Sequence, residues 1–148
     1  PFTDPITKKK YDKLKNYLAV EIDTFEPALD NNLKNNEYDC VIAIDALEHC
    51  FISDLPWIID EMFNKAKKVV YAHIACQASK GKLPNGQDMH ITVKHPEWWR
   101  GVFDTISHYH PGKEFEITLT TSKNRKIDYR FRRNKIESNV NISSNFIY

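Results

Sequence analysis

The chain has 148 residues, enough for one domain with a hydrophobic core. Hydrophobic residues make up 41% and charged residues 28%, which excludes an intrinsically disordered polymer. With 21 basic and 20 acidic side chains the net charge is +1, so no global field draws the chain to nucleic acid or an anionic membrane.

No apolar run approaches the length of a membrane span, and no signal peptide is evident, so a cytoplasmic protein is expected. The three cysteines, Cys40, Cys50 and Cys76, are odd in number and lack C-x-x-C spacing. They read as reduced thiols rather than a disulfide framework. The first residue is Pro1, not Met, which raises the expectation of an N-terminal truncation.

Asp4-Pro5 pairs an N-cap carboxylate with a first-turn proline. Tyr11, Leu14 and Leu18 follow at helical spacing, so a helix is predicted there. Leu18 to Phe25 reads as a strand ended by Glu26-Pro27, and the Asn-rich stretch from Asp30 to Glu37 as a loop. Asp39 to Asp45 contains the apolar run Cys40-Val41-Ile42-Ala43-Ile44, expected of a central parallel strand buried on both faces. Ligands in open α/β sheets bind just past the carboxyl ends of such strands. Asp45, Glu48 and His49 therefore stand where chemistry is placed.

Ser53 is a candidate N-cap for a helix whose apolar stripe is Leu55, Ile58, Ile59, Met62, Phe63 and Ala66. Val69 to Ala75 is the next strand. Gln77 to Asp88, with Gly81, Pro84, Asn85 and Gly86, is a loop. Pro96 opens a third helix, with Trp99, Val102, Phe103 and Ile106 on its buried face. Glu114 to Thr121 and Lys126 to Arg133 form a hairpin, and residues 134–148 a loose tail after a single domain at 1–133. The implied fold class is α/β: a Rossmann-like, mostly parallel sheet with helices on both faces and a C-terminal antiparallel hairpin.

Three segments carry a family resemblance. Asp45-Ala46-Leu47-Glu48-His49 resembles the "LEH" motif after the fourth strand of class I S-adenosylmethionine-dependent methyltransferases. The stretch from Lys82 to His90, followed by Pro96-Glu97-Trp98-Trp99, resembles the "LP-N/D-G-x-x-x-H … EWW" pattern of small methyltransferase-like proteins. Phe25-Glu26-Pro27-Ala28 is similar to their "YDPA". The resemblance implies S-adenosylmethionine as cofactor, with Glu26 on its ribose and Asp45, Ala46 and Leu47 lining it. Glu48, His49 and His90 would face the methyl acceptor as catalytic residues. The family's first strand and its acidic-x-Gly-x-Gly loop have no counterpart, because no glycine precedes Gly81. Either that part lies upstream of Pro1 or the chain is a degenerate, non-catalytic relative. A missing first strand would leave a sheet edge open to homodimerisation.

Asp45-x-x-Glu48-His49 with a later histidine such as His90 is also similar to the E-x-x-E-H … H metal site of small-RNA 2′-O-methyltransferases. That similarity implies a divalent ion on Asp45, Glu48, His49 and His90, acting as a Lewis acid. A zinc site built from Cys50, Cys76, His49 and His73 has no spacing rule behind it. His73, His95, His108 and His110 read as bystanders. Trp99 reads as core, and Trp98 as an acceptor-pocket wall or a cover for a helix end. Arg125, Lys126, Arg130, Arg132 and Arg133 alternate with Tyr129 and Phe131 like the solvated face of a hairpin more than a nucleic-acid footprint. The expected partners are thus a small-molecule cofactor and an acceptor of open identity, with no membrane.

Overall fold

The computed structural model describes residues 2–3, 10–11, 19–25, 36–121 and 129–133. Its contacts divide the chain into two units, Pro1–Asn35 and Asn36–Tyr148.

In the first unit, β1 (Phe2–Thr3) pairs antiparallel with β2 (Lys10–Tyr11). Tyr11 is thus in a strand, not in the predicted helix; Leu14 and Leu18 lie outside the described residues. The strand predicted over Leu18 to Phe25 is not formed in its described part. Ala19 takes a left-handed φ of 54°, which interrupts extended backbone, and no ladder partner is present among the described residues. Val20 and Phe25 are left exposed.

The second unit carries the sheet. Its elements are β3 (Tyr38–Ile44), a 3-10 turn (Leu47–His49), α1 (Leu55–Lys65), β4 (Ala66–Ala75), α2 (Pro96–Ser107), β5 (Glu114–Thr120) and β6 (Tyr129–Arg133). The strand order is β3-β4-β5-β6. The first three strands run parallel and β6 returns antiparallel against β5. The alternation of elements thus gives the α/β sheet and terminal antiparallel pair that the sequence implies. The position of β3 differs from expectation: among the described residues it is an end strand, not a central one. Ile42 and Ile44 are 41% and 52% exposed, so its second face is uncovered.

Strand alternation sorts the side chains. Val70, Ala72 and Ile74 of β4 and Phe115, Ile117 and Leu119 of β5 face the helices. They meet Leu55, Ile59, Met62 and Phe63 of α1 and Trp99, Phe103 and Ile106 of α2 in one core. Both described helices therefore cover the same face, and no helix covers the other face among the described residues.

Local chemistry sets the helix ends. Pro56 stands in the first turn of α1 behind an Asp54 N-cap, not the predicted Ser53, whose hydroxyl donates to Asp54 instead (3.0 Å). Pro96 opens α2 behind His95, whose Nδ1 accepts from the Glu97 amide. Trp98 packs at the core edge, edge-on to Trp99, with the Lys94 ammonium 5.9 Å from its ring centre.

Candidate metal centre

The parallel strands present their carboxyl ends together. There β3 ends sharply: Asp45 has φ 49°, a left-handed conformation that aspartate tolerates better than most residues. Its amide donates to the His73 carbonyl of β4 (3.0 Å), and the 3-10 turn follows at once. Thr92 ties this turn to the loop before α2: its amide donates to the Glu48 carbonyl (3.0 Å) and its hydroxyl to the Cys50 carbonyl (2.8 Å). The result is a pocket of about 140 Å³ lined by Asp45, Glu48, His49, His73, Gln77 and His90, among others.

Glu48 is fully buried. Its Oε1 accepts from the Ala75 amide (3.1 Å), but Oε2 is buried with no hydrogen-bond partner. An unpartnered buried carboxyl oxygen is costly and needs an explanation. Beside it stand two imidazoles. Donor atoms of Glu48, His49 and His90 all lie within 4.8 Å of one another.

Both rings are held in the same way. His49 Nδ1 lies 2.7 Å from the Met89 carbonyl, and His90 Nδ1 lies 2.6 Å from the Gln77 carbonyl. A carbonyl can only accept, so each Nδ1 is the donor, and in the neutral ring the lone pair is on Nε2. An Nδ1–H bound to a backbone carbonyl is the usual support of a metal-ligating histidine. The rings meet edge to face with centroids 5.0 Å apart.

Two nitrogens and one carboxyl oxygen suit Zn²⁺ and other first-row divalent ions better than Mg²⁺ or Ca²⁺. Three protein ligands with an open position is the pattern of catalytic zinc. Ligand bonds of about 2.0–2.1 Å bring tetrahedral donors to roughly 3.4 Å apart, and the donor atoms here lie within 4.8 Å of one another. The residues fit the ion, and the orphaned Glu48 oxygen is the group that it would satisfy.

Of the four expected ligands, three converge. Asp45 is not in this group; its Oδ1 accepts from His73 Nδ1 at 2.7 Å. Ala46 accepts a 3.6 Å contact from the Cys50 thiol through its carbonyl. Leu47, expected to line a cofactor, has its side chain buried in the core. Glu26 lies outside the described residues. Burial, chiefly, pushes the Cys50 thiol up and the Cys76 thiol to about 12, with the Glu48 carboxyl adding to both. Such thiols are poor ligands, and neither joins a metal-competent group among the described residues.

Sequence reasoning missed Asp88. Its Oδ1 accepts from the Ser79 and His90 amides (3.0 and 2.9 Å) and its Oδ2 from Lys82 Nζ (3.0 Å). These bonds hold its carboxyl down at about 2 and fix the loop that delivers His90. Gly86, at φ 83°, makes the turn at the tip of that loop. The Asp-x-His spacing, an Asx-type turn onto the His90 amide, was the available signal.

On β6, Arg130 and Arg132 pair with Glu116 (both 3.4 Å). Arg133 donates to Ser107 Oγ (2.8 Å) and the Asp104 carbonyl (3.3 Å) of α2. These three arginines engage the domain's own groups; Arg125 and Lys126 lie outside the described residues. No described helix is long and apolar enough to cross a membrane. Compared with known proteins, the chain matches no family model, no curated protein and no solved structure.

Proposed function

We propose that this domain carries the acceptor-activating part of a metal-assisted methyltransferase that uses S-adenosylmethionine. The observation that carries the metal half is the buried, unpartnered Oε2 of Glu48, in a residue whose carboxylate groups with His49 and His90 within 4.8 Å. The methyl-transfer half rests on the likeness of Asp45 to His49 to the methyltransferase motif, at the carboxyl ends of parallel strands. Glu48, His49 and His90 would hold a divalent ion, which would supply Lewis acidity to an acceptor oxygen. The backbone from Asp45 to Leu47 would hold the cofactor, and the pocket would orient the acceptor for in-line displacement. S-adenosylmethionine, when bound, would supply the methyl group, its C–S bond breaking as the C–O bond forms, with the acceptor's proton released to solvent. A pocket of about 140 Å³ takes the reacting group and not a whole nucleoside cofactor, whose remainder would lie outside it.

The test is calorimetric titration of the chain with Zn²⁺ and Mn²⁺, then with S-adenosylhomocysteine with and without ion. Saturable ion binding, weakened at least tenfold by Glu48→Gln, His49→Ala and His90→Ala, supports the centre. Ion binding with no S-adenosylhomocysteine binding removes the methyl-transfer half for this chain. No ion binding removes the centre itself.

A further inference from the structure

His73 reads from the sequence as a bystander in a strand, yet it lines the same pocket as Glu48, His49 and His90. It is the third imidazole there and the only one of the three oriented by a carboxylate: its Nδ1 lies 2.7 Å from Asp45 Oδ1. The His73 side chain is 18% exposed and that of Asp45 39%. Asp45 is fixed from two directions, by its own left-handed backbone and by its amide on the His73 carbonyl. The two residues thus grip each other through backbone and side chain. The carboxylate accepts a hydrogen bond from Nδ1–H, so in the neutral ring the lone pair is on Nε2 of a side chain that lines the pocket. A base oriented by a third group is the arrangement that general-base catalysis uses.

We infer that His73 is the proton acceptor of this site and Asp45 its positioning residue, for a ligand whose hydroxyl oxygen sits at the Glu48–His49–His90 centre. The inference rests on the ion reading above. The O–H bond of the ligand breaks, its electron pair stays on oxygen, and the proton passes to His73 Nε2. Asp45 stabilises the imidazolium so formed, which later releases the proton to solvent. Around His73 stand the ionisable groups of Asp45, Glu48, His49 and His90, with Tyr71 two residues back on β4. Arg130 lies one strand beyond Thr118, the β5 partner of His73. This division of labour explains why Asp45 stays out of the ligand group: its carboxylate is committed to the base.

The probe is acetohydroxamic acid, a small ligand that binds a Zn²⁺ ion as its anion and must shed a proton to do so. The full chain is loaded with Zn²⁺ and titrated calorimetrically, at slightly alkaline pH, in buffers of different ionisation heat. The native chain should keep the proton, with little released to buffer. His73→Gln should release about one proton per ligand bound and bind roughly tenfold more weakly, with Zn²⁺ affinity unchanged. Asp45→Asn should shift both readouts in the same direction, and covers the case in which the first variant does not fold. Equal proton counts and affinities in native and variant chains overturn the role of His73 while leaving the ion site standing. Zn²⁺ binding with no response to the probe overturns the inference also. Failure to bind Zn²⁺ overturns the reading on which it rests and the inference with it.

Discussion

His49 holds the carbonyl of Met89, the residue immediately before His90, at 2.7 Å. One imidazole of the candidate centre therefore anchors the loop that supplies the other. Replacing His49 by alanine should remove one ligand and loosen the second. Hydrogen exchange at residues 88–92 should accelerate in His49→Ala and not in Glu48→Gln. Equal protection in both variants would show that the loop is held by its own bonds alone.

Glu48 sets stability against function. Its Oε2 is buried without a partner, and a gap of that kind costs about 1–3 kcal/mol. Glutamine keeps the oxygen that accepts from the Ala75 amide and puts an NH2 in the place of the unpartnered Oε2. Without ion, Glu48→Gln should melt close to the native temperature. With Zn²⁺ at a hundredfold above its dissociation constant, the native chain should gain about 2.7 kcal/mol and the variant almost nothing. A thermal melt series with and without Zn²⁺ reads both, and a variant that is strongly destabilised without ion would contradict the argument.

Asp88 links acid to the site. Its carboxyl is lowered from 3.8 to about 2, first by the Ser79 amide and then by Lys82 and the His90 amide. A depressed carboxyl contributes stability above its unfolded value, and that contribution is lost as pH falls through the folded value. The loop should stay formed down to about pH 4 and loosen between there and about pH 2. Asp88→Ala should weaken Zn²⁺ binding by about 10–100-fold at neutral pH while leaving the sheet's far-UV signature intact. Unchanged ion affinity in that variant would detach Asp88 from the site.

How far the sequence speaks depends on whether a signal is local. The apolar run from Cys40 to Ile44, the stripe of α1 and the Pro96 start of α2 are local patterns, and each gives its element within a few residues. Leu18 to Phe25 has an equally good strand pattern, but a strand exists only where a partner completes its ladder, and periodicity does not report partners. The site divides in the same way. Glu48 and His49 are legible as neighbours past a strand, and His90 through its motif. Their convergence depends on Thr92 tying the loop to the turn, a contact across 42 residues that no spacing rule contains. His73 was hidden because its contact is with Asp45, 28 residues earlier and just past the end of the parallel neighbour β3.

The cysteines should separate by access. Cys40 is exposed, whereas Cys50 and Cys76 pack against the core. The Cys76 thiol is pushed up to about 12, so its thiolate is scarce at neutral pH. A disulfide reagent that reacts with thiolates should modify one thiol quickly in the folded chain and the other two only on unfolding. Mass mapping should place the fast adduct on Cys40, and rapid modification of Cys76 would contradict its packing.

The arginines of β6 should differ sharply despite their shared charge. Arg130 and Arg132 are about 60% exposed and share Glu116, an arrangement worth roughly 0–1 kcal/mol. Arg133 alternates to the other face and bonds the last turn of α2 through Ser107 Oγ and the Asp104 carbonyl. A cation at a helix C-terminus is favoured by the helix dipole as well as by the hydrogen bonds. Arg133→Ala should therefore cost about 1–3 kcal/mol in denaturant unfolding, because it removes a charged donor from Ser107 Oγ, although the Asp104 carbonyl still accepts from the Ser107 hydroxyl and His108 Nδ1. The double variant Arg130→Ala/Arg132→Ala should cost less than Arg133→Ala alone. The reverse order would mean that the strand is held by its surface charges and not by its tie to α2.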